Sequence, residues 1–142
     1  MDPADFLKTA DLLKAQTEQA HFRTSAGRSY YAAFLYFREH FKSLGLEKTK
    51  KRGKEEHAFV IECLQFSQVT ECTQAAQHLR NLKQIREEAD YHIEKSFSKN
   101  QAEDAFVIAQ KVLSDYKQSM TSEKEKKLFS NASAFAKRKE WI

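Results

Sequence analysis

The sequence predicts an all-α fold, an antiparallel bundle of four main helices with shorter extra helices. Three observations carry that reading. Apolar residues recur every three or four positions along most of the chain, the spacing of one helix face. The 142 residues hold one proline and three glycines, so long helices meet few breakers. No stretch shows the two-residue alternation of a half-buried strand. The length suits one domain with a real core, and a composition 41% hydrophobic and 31% charged suits a water-facing globule.

Asp2 followed by Pro3 reads as a helix start, a capping side chain and then proline in the first turn. Phe6, Ala10, Leu13 and Ala20 follow at helical spacing. Thr24 and Ser25 read as the start of a second helix, and Gly45 as its stop. That helix carries RSYYAAFLYF, Arg28 to Phe37. It is apolar or aromatic nearly all round, so it belongs at the centre of the bundle. Its aromatics on two opposite faces also allow contact with a second subunit. Leu46 to Gly53 is a basic loop, and a short helix with Phe59, Val60, Ile61 and Leu64 follows.

The clearest stripe is Val69, Cys72, Ala75, Leu79, Leu82, Ala89 and Ile93, with Arg86 in the same row. Ser98 and Gln101 form a capping box for the next helix. Its stripe runs from Ala102 through Phe106, Ala109 and Leu113 to Tyr116 and Met120. Ser122 and Glu125 suggest a second box, opening a weaker tail segment with Leu128, Phe129, Ala132 and Phe135. The domain reading is therefore a bundle over residues 1–120 and a basic tail over 121–142 that can form a short helix.

The net charge is +4 and the sequence pI about 9.0. Residues 117–142 hold seven Lys or Arg against three Glu, so this tail carries the whole excess. A second basic run is KTKKRGK, where Lys50, Lys51 and Arg52 are weak candidates for phosphate contact. Both runs fit a solvated loop and tail better than a binding site. Cys63 and Cys72 make neither a disulfide framework nor a paired metal motif, and a reducing cytoplasm is the simplest setting. No apolar run is long enough to span a membrane, and the first residues lack the layout of a signal peptide.

Glycine-rich phosphate loops, metal-spaced Cys and His sets and serine elbows are absent. No two of the five histidines stand three or four residues apart, so neither a metal nor any other cofactor is expected. What remains is REEADYH, with Arg86 and His92 as candidate catalytic residues. A guanidinium on an apolar stripe is costly unless paired, and Asp90, four residues on, can pair with it. The alternative is an arginine that grips a phosphate bidentately. Six residues on an ideal helix turn through about 600° and rise about 9 Å, so the two side chains point about 120° apart. They cannot form a tight site in one straight helix. Either the helix ends near Tyr91 and His92 folds back, or two copies meet across a symmetric dimer. A cleft with two of each residue suits RNA cleavage. A histidine moves a proton to or from the ribose 2′-hydroxyl or the leaving oxygen, and an arginine stabilises the phosphorane.

SAGRSYYAAFLYF resembles the second-helix signature of HEPN domains, where a small or basic residue precedes Tyr-Tyr-Ala-x-Phe. His57 and the AFVIECL after it resemble the family's next short segment. HLRNLKQIREEADYH resembles its helix with Leu-Arg, Arg and Ala-Asp-Tyr, and AEDAFVIAQKVL resembles its closing helix. The likeness runs in order from about Asp2 to Met120. It implies a helical bundle that usually dimerises. It also implies, for many members, a metal-independent endoribonuclease with Arg86 and His92 at the dimer cleft. Arg28 can line the same cleft, while Asp90 and Tyr91 support it. Members act as toxins beside nucleotidyltransferase-type antitoxins or in antiviral defence, and others are inactive binding modules for such a partner or for a nucleotide. Glu87 stands where active members often carry Asn, Asp or His. Glu94 stands where the antitoxin-modified Tyr of paired toxins would be.

Overall fold

The computed structural model describes residues 1–49 and 55–142. Among them the chain is all-helical, with six helices and no strand: α1 (Ala4–Lys14), α2 (Gln19–Ser43), α3 (Glu56–Gln65), α4 (Thr70–Tyr91), α5 (Lys99–Ser119) and α6 (Ser122–Arg138). None of these helices is long and apolar enough to cross a membrane. Lys50, Lys51 and Arg52 lie outside the described residues.

The helices begin and end for local reasons. The Asp2 carboxylate accepts the Ala4 N–H at 2.9 Å, with Pro3 between them. The Ser98 box is complete: Gln101 N–H donates to Ser98 Oγ at 3.2 Å, and Ser98 N–H donates to Gln101 Oε1 at 2.8 Å. Past α2, Leu46 N–H donates to Phe41 O at 2.8 Å and Gly45 N–H to Lys42 O at 3.0 Å. This is a Schellman closure with Gly45 at φ +87°.

Four boundaries differ from the sequence reading. α1 ends at Lys14, so Ala20 belongs to α2 and not to the first stripe. α2 begins at Gln19 instead of Thr24, because the Thr24 and Ser25 hydroxyls do not cap. Thr24 Oγ1 donates back to Ala20 O at 2.8 Å, and Ser25 Oγ donates across to Ala10 O at 2.7 Å. α6 is capped by Thr121, not Ser122: Thr121 has extended backbone and its Oγ1 accepts the Lys124 N–H at 3.3 Å. Ile93 is not part of the buried stripe, since α4 stops at Tyr91 and leaves Ile93 81% exposed.

The chain divides into two compact units, and α2, α4 and α5 contribute a segment to each. The first comprises residues 1–36 and 78–113. Its core is rich in alanine, with Ala26, Ala33, Ala89, Ala102 and Ala105 buried around Tyr30, Phe34 and Leu82. Small side chains let helix backbones approach closely, which the buried Ser25–Ala10 hydrogen bond between α2 and α1 requires.

The second unit comprises residues 37–77 and 114–142, and its core is aromatic. Phe37 meets Tyr116 edge to face at 4.9 Å, and Phe59 meets Trp141 at 5.8 Å. α6 packs on α3 and buries Leu128, Ala132 and Ala136. Polar ties hold it as well. Lys124 Nζ lies 2.6 Å from Glu71, Asn131 donates to Ser67 O at 2.7 Å, and Trp141 Nε1 donates to Glu55 at 2.8 Å. The segment 121–142 is thus a docked helix with an apolar stripe, Lys124 turned to Glu71 and Lys126, Lys127, Lys137, Arg138 and Lys139 exposed.

Candidate functional site

The candidate residues gather where the last turns of α4 meet the first half of α2, inside the first unit. Arg23, Gly27, Tyr30 and Tyr31 stand at positions i, i+4, i+7 and i+8 of α2, one face of a helix. Gly27 has no side chain to hold α4 away, and a Cβ there would stand 3.8 Å from Arg86 Cγ and 3.9 Å from Asp90 Oδ1.

Arg86 is set between aromatic rings. Its side chain is 12% exposed, and its guanidinium carbon lies 5.6 Å from the ring centres of Tyr30 and Tyr31 and 5.9 Å from that of Tyr91. Nη1 donates to Tyr31 Oη at 3.3 Å and to Asp90 Oδ2 at 3.5 Å. Nε is buried and has no hydrogen-bond partner among the described residues. Cation–π contacts bring about 0.5–2 kcal/mol each as they are desolvated, against about 0.3–0.5 for a helix-surface ion pair. The aromatic cradle is therefore the stronger anchor, and Asp90 the weaker. Burial pushes the Tyr30 phenol pKa up, against the opposing pull of Arg86.

His92 is placed differently. It follows the last residue of α4, and its N–H donates to Glu88 O at 3.1 Å. Its side chain is half exposed, and Nδ1 faces Glu94 at 3.4 Å. Glu94 is held below the usual carboxylate range, first by its own backbone N–H and then by His92. Of the two alternatives for REEADYH, the first half of one is realised: the helix ends at Tyr91. No hydrogen bond or ion pair joins His92 to Arg86 within the chain. Tyr91, at 70% exposure, and Ile93 flank the turn in the open. Arg28 is not brought to Arg86; its guanidinium lies over Phe6 at 5.0 Å. Glu87 lies 3.7 Å from Lys83.

Sequence reasoning missed Arg23. From α2 its Nη1 donates to Glu88 O at 3.3 Å and to Ala89 O at 2.7 Å, and its Nη2 to His92 O at 3.2 Å and to Lys95 O. Gln19 accepts from its Nε and Nη2. The only signal in the sequence was its position on the same face as Gly27 and Tyr30.

The charges here balance: Arg23, Lys83, Arg86 and Lys95 against Glu87, Glu88, Asp90 and Glu94. Among the described residues no cluster of His, Cys, Asp or Glu could hold a metal ion. A groove of about 450 Å³ in the same unit is lined by Gln84, Ile85, Asp104 and Val107 and includes neither Arg86 nor His92. Cys63 and Cys72 lie in the second unit, where burial pushes both thiols up to about 12, away from thiolate chemistry.

No protein-family model, curated protein or solved structure matches the chain.

Proposed function

We propose that the chain is a HEPN-like antiparallel four-helix bundle with short extra helices, and that two copies pair to cleave RNA without a metal. The observation that carries this is the state of the Arg86 guanidinium. It is nearly buried and braced by tyrosines, yet its two hydrogen bonds, both from Nη1, are 3.3 and 3.5 Å long and its Nε has no hydrogen-bond partner among the described residues. Charge-assisted bonds to phosphate run at about 2.7–2.9 Å and come in pairs. A phosphate at the exposed edge of the guanidinium therefore satisfies it better than Asp90 does, although the buried Nε stays out of its reach.

In the reaction His92 takes the proton of the 2′-hydroxyl, and that oxygen attacks phosphorus. The bond from phosphorus to the 5′-oxygen breaks, and the leaving oxygen takes a proton from His92 of the second copy. The products are a 2′,3′-cyclic phosphate and a free 5′-hydroxyl. Arg86 holds the non-bridging oxygens as negative charge builds on them. The exposed Tyr91 and Ile93 supply apolar area for pairing or for an RNA base. In this reading the protein is a toxin or antiviral defence effector, and a nucleotidyltransferase-type antitoxin is its natural partner.

A second reading has its own support. Glu87, Asp90 and Glu94 offset the cations at this end, which suits an inactive module that binds a nucleotidyltransferase-like partner or a nucleotide. The experiment that separates the two is RNA cleavage by purified protein, with and without chelator, beside Arg86→Ala and His92→Ala. Wild type is expected to cut in both buffers and each variant to lose about 100-fold or more. An inert wild type, or variants that cut equally well, would remove the enzyme reading.

A further inference from the structure

We propose that Arg23 is the positioning residue for His92. The last turn of α4 contains no basic residue, yet Glu87, Glu88 and Asp90 crowd it. Helix C-termini carry partial negative charge and unpaired carbonyls, so this end is charged the wrong way for its own dipole. Neither glycine nor proline stands there to stop the helix. The guanidinium of Arg23 supplies both missing elements from α2. It binds the carbonyls of Glu88 and Ala89 in the last turn of the helix, and those of His92 and Lys95 in the turn that follows.

One planar group thus fixes where the helix ends and where the His92 backbone sits. Gln19 orients the fork from one turn earlier, and the Phe97 ring lies 5.6 Å from its carbon. On the same face of α2, Tyr31 holds Arg86. A single helix face therefore sets both candidate residues in register, although the two do not touch each other. Lysine cannot replace this arrangement, because an ammonium has the charge but not the planar fork.

The inference takes from the proposed function only that His92 carries the proton, and its test has one readout independent of RNA. Arg23→Met and Arg23→Lys are compared with wild type by backbone amide exchange. The amides to watch are those of His92 and Lys95, which donate to Glu88 O and His92 O. In Arg23→Met these two are expected to exchange about tenfold faster or more, while amides in the middle of α5 keep their rates. Arg23→Lys should fall between. In the cleavage assay kcat falls about 100-fold for Arg23→Met with KM unchanged, the signature of a displaced group and not of lost binding. Unchanged exchange at His92 and Lys95 overturns the assignment. So does equal acceleration throughout the unit, which marks a group that only stabilises the fold. If wild type cuts no RNA, the enzyme reading fails, and the exchange rates still decide whether Arg23 fixes His92.

Discussion

Gly27 is expected to be a glycine that alanine improves. It lies inside α2 and is buried, and it faces the Arg86 and Asp90 side chains of α4. A glycine inside a helix costs about 0.5–1 kcal/mol relative to alanine, because the unfolded chain loses more freedom on folding. That gain is realised only if a methyl group fits. Here the added carbon would stand 3.8 Å from Arg86 Cγ and 3.9 Å from Asp90 Oδ1, ordinary van der Waals contact. The Asp90 side chain remains 40% exposed, so a methyl does not strip its carboxylate of water. Gly27→Ala should therefore stabilise by about 0.5–1 kcal/mol. Unfolding entropy of about 2.1 cal/mol/K per residue, over the length of this chain, turns that into a rise in Tm of about 2–3 °C. Thermal unfolding followed by circular dichroism reads the shift, and urea titration reads the free energy. A lower Tm would refute the reasoning, since it would mean that α2 and α4 have no room for one methyl where they meet.

Gly45→Ala should move the other way in the same melts, by about 1–2 kcal/mol, because φ of +87° closes the Schellman turn and penalises any Cβ; equal stability would show that the turn is not needed. Phe37→Ala removes a fully buried ring from its edge-to-face contact with Tyr116 and should cost about 3–5 kcal/mol in urea titration. A loss below about 1 kcal/mol would mean that the aromatic core of the second unit does not hold it together. His40 lies 3.4 Å from Glu125 and 5.4 Å from the Tyr116 ring, and burial lowers its pKa although Glu125 pulls it up. The unfolded chain then binds this proton more readily than the folded one. Stability is therefore full above the unfolded value of about 6.5 and falls as pH drops from there towards the lowered folded value. His40→Gln should flatten that part of the stability profile between about pH 7.5 and 5.5, and an unchanged slope would remove His40 as its source.

The elements that were legible in the sequence are those whose cause is local. The stripe of α4 from Val69 to Ala89 is written in the spacing of its own residues, and the Ser98–Gln101 box needs nothing beyond four consecutive positions. The end of α2 is as plain, because Gly45 is both the signal and the means. A hydroxyl with two possible uses is where sequence and structure part. Thr24 and Ser25 look like caps, but one bonds back into its own helix and the other to α1, so the helix starts five residues earlier at Gln19. Thr121 and Ser122 are adjacent hydroxyls, and the acid three residues after Ser122 favoured the wrong one.

The end of α4 shows the harder case. By pattern the stripe continues to Ile93, and nothing in REEADYH stops it. Helix C-terminal carbonyls need donors, and beyond the His92 and Lys95 amides this segment offers none, with no basic side chain in its last turn. The donor is Arg23, some 65 to 72 residues away in sequence. A contact of that kind leaves no spacing signal in either segment. The same reasoning explains why Arg86 was visible and its setting was not. A cation in an apolar row is conspicuous, and Asp90 at i+4 is the partner that a linear reading offers. Burial against Tyr30 and Tyr31 reverses the order of strength, because a guanidinium that has lost most of its water gains more from the ring faces than from a carboxylate 3.5 Å away that is still hydrated. Under the proposed function a phosphate has Asp90 to displace, and the tyrosine cradle already holds the arginine in place.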